Sequence, residues 1–404
     1  MSTPQPRLSS RLNPRFNTPK TIVISSPIQK ILFGSPGTGK SYRIDQEIIP
    51  QDLCINKLAT PENVIKTVFH PEYTYGDFMG KLVPITKGRT VRYKFYEGHF
   101  LRALAQSYKN ILVEYKDPTK DKDFKDISDS DKIYRLNEAR KLACDKAANV
   151  VLVIDEINRG NSSAIFGTVF QLLDRDDDGW SSYSINITEI ELITLLSLIG
   201  VEEKALEGDQ FEYKFPGESD WIKSYLTFQN RVNGLNLYLK ERAIKLPPNL
   251  SILATMNTSD NSIYFMDSAF KRRWDWEFIN WDDSKPPTPT YGQAGLLDED
   301  TWRTLITCLN NFIKSHYASI RGIEDKQIGY WFIKPPITAE KIQNKLMFFV
   351  WDSVFSRDKE PLASLLNVKR AQLVTFGDFT KLHNEFIQKI MLFTDTSNLA
   401  NNNL

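Results

Sequence analysis

Three cysteines and four histidines are all that this chain of 404 residues offers for disulfides or for sulfur and nitrogen ligands to a metal. The cysteines, at positions 54, 144 and 308, are too few and too widely separated for a disulfide framework or a four-cysteine zinc site. The histidines form no pair at ligand spacing. This scarcity is typical of a reducing compartment, and we expect a cytoplasmic protein.

The sequence also lacks an excess of either charge and any long apolar run. Lysine and arginine number 51 against 50 acidic residues, so a contact with a polyanion would have to be concentrated in a local basic surface. No apolar run approaches the ~18 residues that span a bilayer, and no membrane partner is expected. Residues 1–25 lack the apolar core of a secretion signal and are predicted to be a flexible basic tail; their acid-free composition leaves a transit peptide as the alternative.

Short apolar runs alternate with amphipathic segments along most of the chain. Three of the apolar runs have the length of a buried strand: "IQKILFG", "VIKTVF" and "VVLVIDEIN". Each is followed along the chain by a segment in which apolar residues recur at the spacing of a helix. This alternation predicts an α/β fold with a doubly wound parallel sheet. The stretch 176–249 is far longer than an ordinary connection and is predicted to be an insertion, a hairpin plus a small helical piece, that projects from the core. The predicted organisation is a tail at 1–25, an α/β domain at 26–285, a Pro- and Gly-rich linker at 282–295, a small helical lid domain at 296–393 and a disordered tail at 394–404.

The segment "GSPGTGKS" matches the phosphate-binding pattern G-x-x-x-x-G-K-[ST] and lies between a strand and a helix. Its glycines permit backbone angles that turn successive N–H groups toward phosphate oxygens, and the helix N-terminus adds its positive dipole end. Lys40 is expected to reach the β- and γ-phosphates, and the Ser41 hydroxyl to ligate Mg²⁺. A chance glycine-rich turn is the alternative, which the order of strand, turn and helix disfavours. The predicted nucleotide-binding residues are Gly34, Ser35, Pro36, Gly37, Thr38, Gly39, Lys40, Ser41 and Tyr42.

An acidic pair ends the apolar run "VVLVIDEIN". Asp155 is expected in the Mg²⁺ shell, and Glu156 is placed to polarise an attacking water. Carboxylates at a strand end are weak evidence alone, because they can simply be solvated. Together with the phosphate loop they predict a Mg²⁺-dependent nucleoside triphosphatase.

The stretch "SILATMNTSDNS" reads as a buried strand that turns polar at its carboxyl end, the end at which ligands bind in open α/β sheets. The order of phosphate loop, acidic strand end and polar strand end resembles that of AAA+ NTPases. That resemblance makes Asn257 the sensor that positions the attacking water, and Asp260 a residue that orients it or the adjacent backbone. The alternative is that both residues cap a turn, as Asn and Asp commonly do.

The segment "FKRRWDWEF" follows where AAA+ modules carry arginines that act on a neighbouring subunit. On that resemblance, Arg272 and Arg273 would reach the γ-phosphate bound by the neighbour and supply positive charge in the transition state. Such a role implies a ring. The alternative is an exposed basic turn, and Arg159 in "DEINRGN" is a second candidate.

"DEINRGNSSAIFGTVFQLLD", "MNTSD" and "MDSAFKRRWDWEF" together resemble the McrB motor subunits of modification-dependent restriction systems. "FHPEYTYGDFMGKLVP" and "IGYWFI" are similar to further segments of that family. The resemblance covers most of residues 28–393 and implies a hexameric AAA+ ring that hydrolyses GTP rather than ATP, an McrC-like nuclease partner and translocation of DNA. It implies a hydrolytic set of Lys40, Ser41, Asp155, Glu156 and Asn257, with Arg159, Asp267, Arg272 and Arg273 meeting the neighbour's nucleotide.

Two departures from the family pattern bear on these expectations. The family motif commonly continues Met-Asn-Thr-Ala-Asp-Arg, whereas Asn261 follows Asp260 here. Only about 25 residues precede the first core strand, so recognition of modified DNA is expected from another subunit or from the 176–249 insertion, if it occurs at all. Nothing in the phosphate loop reads guanine, so the choice of GTP follows from the resemblance alone.

Three other functions are open at this stage. An ATP-dependent protein-remodelling enzyme of the MoxR or dynein-like group would use the insertion to grip its client. A nucleotide-gated scaffold would assemble and turn over slowly. A built-in nuclease could use Glu114 and Lys116 in "NILVEYK", which have the spacing of half a metal-nuclease motif but no upstream Asp.

Overall fold

The computed structural model describes residues 26–206, 210–257, 264–286 and 298–393. Within them the strands are, in chain order, β1 (Gln29–Gly34), β2 (Val64–Val68), β3 (Gly80–Lys87), β4 (Thr90–Glu97), β5 (Val150–Asp155), β6 (Ile185–Asn186), β7 (Glu202–Ala205), β8 (Phe211–Lys214), β9 (Ala243–Ile244), β10 (Leu250–Asn257) and β11 (Asp275–Phe278). The α-helices are α1 (Lys40–Arg43), α2 (Tyr75–Phe78), α3 (His99–Glu114), α4 (Asp129–Lys146), α5 (Ser162–Phe166), α6 (Glu189–Ile199), α7 (Tyr225–Asn233), α8 (Ser268–Lys271), α9 (Glu299–Ser315), α10 (Ala339–Lys341), α11 (Glu360–Leu366), α12 (Phe376–Lys381) and α13 (His383–Met391). Wider π-helical turns extend α1 through Ile44–Asp52 and α10 through Ile342–Met347 and Val350–Val354.

Five strands form one sheet in the order β11-β1-β10-β5-β2, and every pairing in it is parallel. Both faces of the sheet are covered, which is why β5 and β10 are buried along most of their length. In β5, Val150, Leu152 and Ile154 face the larger core, while Val151 and Val153 face a smaller core on the opposite side. The predicted α/β fold with a doubly wound parallel sheet is confirmed.

The register of the sheet decides which side chains meet at its carboxyl edge. Gly34, the first residue of the phosphate loop, pairs with Asn257. On the other side of β10, Ala254 pairs with Ile154, the residue before Asp155. Because parallel strands end at the same edge, the phosphate loop, the acidic pair and the polar end of β10 lie next to one another.

Strands β3 and β4 form a separate antiparallel ribbon outside the central sheet. The sequence analysis predicted no strands in this part of the chain. Every residue of β4 except Phe95 is exposed, so the strand carries no buried alternation that would have identified it. Tertiary anchoring rather than local pattern explains the ribbon, since an isolated hairpin is marginal in water.

The 176–249 stretch contains helices α6 and α7 and the β7–β8 hairpin. Helix α6 lies against α3, and Leu195 and Ile199 are buried in the main core. Much of the stretch therefore packs onto the α/β core instead of projecting from it. The physical reason is the strongly apolar composition of α6, "EIELITLLSLI", which has to be covered.

Residues 302–390 build a second core of their own, centred on the fully buried Trp302. Helix α9 supplies one apolar face to it, and α13 packs against α9. The predicted tails at 1–25 and 394–404 lie outside the described residues, as does most of the predicted linker.

The apolar residues of "NILVEYK" belong to the last turns of α3 and do not form a strand. Glu114 is therefore the last residue of a helix, and Lys116 lies beyond its end. Nowhere in the described ranges is a helix both long and apolar enough to cross a membrane.

Candidate functional site

The phosphate loop joins β1 to α1 through two glycines in the left-handed region, Gly37 (φ 77°) and Gly39 (φ 89°). A side chain on Gly37 would meet the backbone of Phe332, with its Cβ 2.4 Å from the amide nitrogen. Within the loop, the Thr38 hydroxyl donates to the Ser35 carbonyl at 3.1 Å. Glycine is thus required both by the backbone angles and by the close approach of a second segment.

Lys40 is buried beneath the loop that it follows. Its Nζ donates to the carbonyl oxygens of Gly34 (2.9 Å) and Ser35 (2.8 Å), which hold the ammonium on the inside of the turn. Burial lowers the pKa of Lys40 to about 8, and the nearby negative charge of Glu156 opposes that shift. An ammonium that has lost its water is a strong partner for a phosphate group brought into the same loop.

Ser41 and Asp155 face each other across the site. The Ser41 hydroxyl donates to Asp155 Oδ1 at 3.3 Å, and the Thr255 hydroxyl donates to the same oxygen at 3.0 Å. This donor set fits Mg²⁺, which is typically held by one or two oxygen ligands of the protein together with water and the substrate's phosphates. No cluster of three or more His, Cys, Asp or Glu within the described ranges could hold a metal by itself, so the substrate would have to complete the shell.

Glu156 follows Asp155 in a left-handed backbone conformation, with φ at 55° and ψ at 49°. Its backbone N–H donates to the Thr255 hydroxyl at 3.2 Å, and its carboxylate accepts a hydrogen bond from Asn257 Nδ2. The strained backbone turns the Glu156 side chain away from Asp155 and toward Asn257. The two neighbouring carboxylates therefore belong to different sets of partners.

Two residues that the sequence analysis did not select complete this network. Thr255 bridges the acidic pair, donating to Asp155 and accepting from the backbone of Glu156. Asn158 is buried and donates from Nδ2 to the Asn257 carbonyl at 2.6 Å. Thr255 lies two residues before Asn257 and Asn158 lies two residues after Glu156, so proximity in sequence to the predicted residues was the available signal.

Of the predicted residues Arg159, Asp267 and Arg272, the first contacts the acidic pair, and the other two belong to the two ends of α8. Arg159 Nε is 3.8 Å from Glu156 Oε2, in a side chain that is 48% exposed. Asp267 caps α8 by accepting from the Phe270 amide at 2.7 Å, and it also accepts from the Ser163 hydroxyl at 3.2 Å. Arg272 is exposed at the end of α8.

The structure separates the two adjacent arginines that the sequence analysis grouped. The Arg273 side chain is only 8% exposed, and its Nη2 lies 2.7 Å from Asp174 Oδ2. Nη1 donates to the Ala269 carbonyl at 2.9 Å, and the guanidinium stacks on the Phe170 ring at 4.4 Å. Arg273 here ties α8 to the segment before the insertion, whereas Arg272 faces solvent.

Asp260, the remaining predicted catalytic residue, lies outside the described residues, as does Asn261. Tyr42, the last predicted nucleotide-binding residue, is 55% exposed and stacks on Trp331 with ring centroids 5.8 Å apart and an interplanar angle of 15°. That stack brings the C-terminal helical unit, residues 298–393, to the rim of the phosphate loop.

Backbone hydrogen bonds join the C-terminal unit to the phosphate loop directly. The Gly329 amide donates to the Pro36 carbonyl and the Trp331 amide to the Gly37 carbonyl, both at 3.0 Å. The Ser35 hydroxyl donates to the Glu324 carbonyl at 2.5 Å. We call this set of contacts the clasp. Nothing in the local sequence signals it, because backbone atoms make most of its bonds.

Comparison with known proteins gives a limited set of likenesses. No family model matches the chain. The Type II restriction enzyme BsuMI component YdiS of Bacillus subtilis (strain 168) is 27% identical over 364 residues, which are 88% of this chain and 85% of that protein. The crystal structure of a presumptive ATPase from Cytophaga hutchinsonii aligns over 88% of this chain and 84% of its own at 11% identity, with a TM-score of 0.22. The chain has the α/β fold of a P-loop NTPase and is similar to a bacterial restriction-enzyme component.

Proposed function

We propose that this protein is an AAA+ nucleoside triphosphatase that works as a ring-forming motor subunit of a bacterial restriction complex. The observation that carries the proposal is the convergence of five predicted side chains at one edge of the sheet: Lys40, Ser41, Asp155, Glu156 and Asn257. Ser41 donates to Asp155, and Asn257 donates to Glu156. Similarity to a restriction-enzyme component supports the biological setting.

The arrangement assigns a task to each side chain. The phosphate loop receives the triphosphate, and the Lys40 ammonium balances the charge of its β- and γ-groups. Ser41 and Asp155 would hold Mg²⁺, which neutralises charge on the bridging phosphate oxygens. Glu156 accepts a proton from the water that attacks the γ-phosphorus, and Asn257 fixes the orientation of the Glu156 carboxylate.

The proposal of a ring depends on Arg272. In AAA+ rings an exposed arginine reaches the nucleotide bound by the neighbouring subunit and stabilises the transition state. Arg272 is exposed at the end of α8, whereas Arg273 is held by Asp174. Arg272 is therefore the better candidate for that role. A hexamer, the number implied by the McrB resemblance, is part of the proposal.

The finer parts of the proposal follow the McrB resemblance. We infer that GTP is preferred over ATP, that an McrC-like nuclease is the partner, that the ring translocates DNA, and that the complex works in the cytoplasm. YdiS, as a component of a restriction enzyme, supports the existence of partner subunits.

Steady-state phosphate release with GTP and with ATP, at matched Mg²⁺, tests the proposal. We expect release that depends on GTP and is abolished by Lys40→Ala. A preference for ATP would move the protein to the remodelling group of AAA+ enzymes. An absence of turnover with either nucleotide, even with added DNA and partner, would leave a nucleotide-gated scaffold.

Mixing two inactive variants tests the ring. Lys40→Ala removes nucleotide binding but retains Arg272, while Arg272→Ala retains an intact phosphate loop. If Arg272 acts on a neighbour, an equimolar mixture regains part of the wild-type phosphate release. Arg273→Ala is the matched control: it retains Arg272 and the phosphate loop, so any activity that it loses comes from its own chain and should not be restored by mixing with Lys40→Ala. No recovery in the first mixture would place Arg272 outside the catalytic machinery.

A further inference from the structure

The β3–β4 ribbon leaves the core between Met79 and Gly98 and is anchored there by buried contacts. The Gly98 amide donates to the Met79 carbonyl at 2.9 Å, and Phe78 and Met79 are fully buried. A Cβ on Gly98 would lie 2.2 Å from the Phe78 carbonyl oxygen, so the two ends of the ribbon are pressed together at its root. Beyond the root, most side chains of the ribbon are exposed.

The ribbon concentrates positive charge. Its sequence, residues 80–97, contains five basic residues, and Glu97 is its single acid. Because the whole chain has a net charge of +1, the ribbon is a strongly basic patch on a nearly neutral protein. The five basic residues are Lys81, Lys87, Arg89, Arg92 and Lys94.

The register places basic side chains on one face. Lys94 is paired with Val83 and Arg92 with Ile85, and positions two apart on a strand share a face, about 6.8 Å from one another. Lys94 Nζ lies 4.8 Å from the centre of the Tyr96 ring on that same face. Arg89, in the turn, is exposed at the tip.

Three of these basic residues form no ion pair within the part of the chain that the structure describes. Among the described residues no carboxylate lies within ion-pair distance of Arg89, Arg92 or Lys94, in contrast to Lys81, which binds Asp77 at 2.6 Å. The opposite face of the ribbon carries Tyr93, which is 68% exposed. The face of Arg92 and Lys94 carries Tyr96, which is 42% exposed. Cations without an ion pair and exposed aromatic rings on the same ribbon are the combination that binds a nucleic-acid strand, through phosphates and through stacking on bases.

We propose that the β3–β4 ribbon is the DNA-binding element of this protein, with Arg89, Arg92 and Lys94 contacting the sugar–phosphate backbone. A two-stranded ribbon is one of the elements that the DNA major groove admits, and a regular row of cations suits a regular row of phosphates. The inference deepens the proposed motor function, on which it rests, by naming the surface that meets the translocated polymer.

The root of the ribbon is connected to the hydrolytic site. The Phe69 amide donates to the Asp155 carbonyl at 2.9 Å, and the Phe78 ring packs on Phe166 of α5 with centroids 4.6 Å apart. Helix α5 begins six residues after Glu156. A change at the acidic pair therefore has a short, packed route to the ribbon, as a motor that moves DNA requires.

Fluorescence anisotropy of labelled DNA tests the proposal without hydrolysis. The probes are a duplex and a single strand of about 30 nucleotides, titrated at about 50 and 200 mM salt. The variant combines Arg89→Glu, Arg92→Glu and Lys94→Glu, which are exposed and leave the core untouched. The matched control reverses three exposed lysines of the C-terminal unit, Lys314, Lys381 and Lys389.

We expect the ribbon variant to bind duplex DNA at least 10-fold more weakly, with a slope of log K against log salt that is shallower by about 2.7 for three lost phosphate contacts. The lysine control should retain the wild-type affinity and slope. Equal losses in both variants, or no loss in the ribbon variant, would overturn the proposal. The proposal would also be overturned if the ribbon variant bound DNA normally but no longer formed the oligomer, since the ribbon would then be a contact between subunits.

Tyr93→Ala distinguishes the two forms of DNA. If bases stack on the ribbon, this variant loses affinity for the single strand and retains it for the duplex; equal retention of both assigns binding to the phosphates alone. Phosphate release by the wild-type protein is measured in parallel. If the protein does not hydrolyse nucleotide but binds DNA through the ribbon, the proposed motor function is wrong and the DNA site stands. If it hydrolyses nucleotide but its DNA binding does not depend on the ribbon, the motor function stands and the DNA site is wrong.

Discussion

Glu156 and Asn257 form the pair on which hydrolysis would depend most directly. Asn257 donates to the Glu156 carboxylate, while the buried Asn158 holds the Asn257 carbonyl in place. Thr255 fixes the backbone of Glu156 from the neighbouring strand. Two residues of β10 and one of the turn after β5 thus position a single carboxylate. We therefore expect Asn257 to affect hydrolysis by orienting Glu156.

Replacing Glu156 with Gln should lower phosphate release by about 10²- to 10⁴-fold, because an amide cannot accept the proton of the attacking water. Nucleotide binding should persist, since Lys40 and the phosphate loop are unchanged. Binding is measured with a fluorescent nucleotide and turnover by phosphate release. Glu72→Gln, at an exposed loop position, is the control.

A double-mutant cycle measures the coupling between Glu156 and Asn257 in phosphate release. Asn257→Ala alone should slow turnover, yet it should add little on the Glu156→Gln background, because its partner is already disabled. Fully additive losses would mean that Asn257 acts independently of Glu156 and contacts the water or phosphate itself.

At the scale of elements, the 176–249 stretch is held to the core by a compact ionic cluster. Arg231 of α7 lies 3.1 Å from Asp117, and it also binds both carboxylate oxygens of Glu218 at 2.5 and 2.7 Å. Lys120 adds a further ion pair to Glu218 at 2.8 Å. The Arg231 and Asp117 side chains are only 7% and 4% exposed, so the cluster joins the stretch to the loop after α3 away from solvent.

The hydrogen bonds from Arg231 are the main cause that lowers the pKa of Glu218 to about 2, and Lys120 adds to the shift. A carboxyl group whose pKa is depressed by folding stabilises the folded state above its ordinary pKa of 4.5 and loses that contribution as pH falls toward 2. Glu218→Gln should therefore lower the free energy of unfolding at pH 7, and the difference from wild type should shrink between pH 4.5 and 2.

Urea unfolding followed across that pH range provides the measurement, again with Glu72→Gln as the control. A difference between Glu218→Gln and wild type that is constant with pH would show that the variant acts through packing and not through the charge of Glu218.

On the scale of the whole molecule, two separate cores meet at the candidate site. The α/β core and the core of residues 302–390 are distinct clusters of buried side chains. The clasp connects them through the carbonyls of Pro36 and Gly37, within the phosphate loop itself. The position of the C-terminal unit and the shape of the loop should consequently change together.

Gly329→Ala should disrupt the clasp while leaving both cores intact, because the added Cβ would lie 2.2 Å from the Gly37 carbonyl oxygen. We expect nucleotide binding to weaken by at least 10-fold, which corresponds to about 1.4 kcal/mol. Thermal unfolding should change little. Titration with a fluorescent nucleotide measures the first effect and calorimetry the second.

Gly377→Ala is the matched control in the same C-terminal unit, since a Cβ there would meet only the Thr375 hydroxyl at an ordinary 3.6 Å. Nucleotide affinity unchanged in Gly329→Ala would mean that the loop keeps its shape without the C-terminal unit.

The sequence by itself determined the class of fold and indicated which residues meet at the candidate site. "GSPGTGKS", "VVLVIDEIN" and the polar end of "SILATMN" each combine a local pattern with residue types that few other structures need, so Lys40, Ser41, Asp155, Glu156 and Asn257 could be chosen without coordinates. Their order along alternating strands and helices was enough to predict the doubly wound sheet.

Only the tertiary structure decided the rest, because it depends on contacts between residues distant in sequence. Arg272 and Arg273 are adjacent and chemically identical, and only the location of Asp174 buries one of them. The β3–β4 ribbon has no buried alternation, α6 could have projected from the core, and the clasp uses backbone atoms that carry no sequence signature. Local pattern thus indicated which residue types gather at the carboxyl edge of the sheet, and long-range packing decided which of them are exposed, paired or joined.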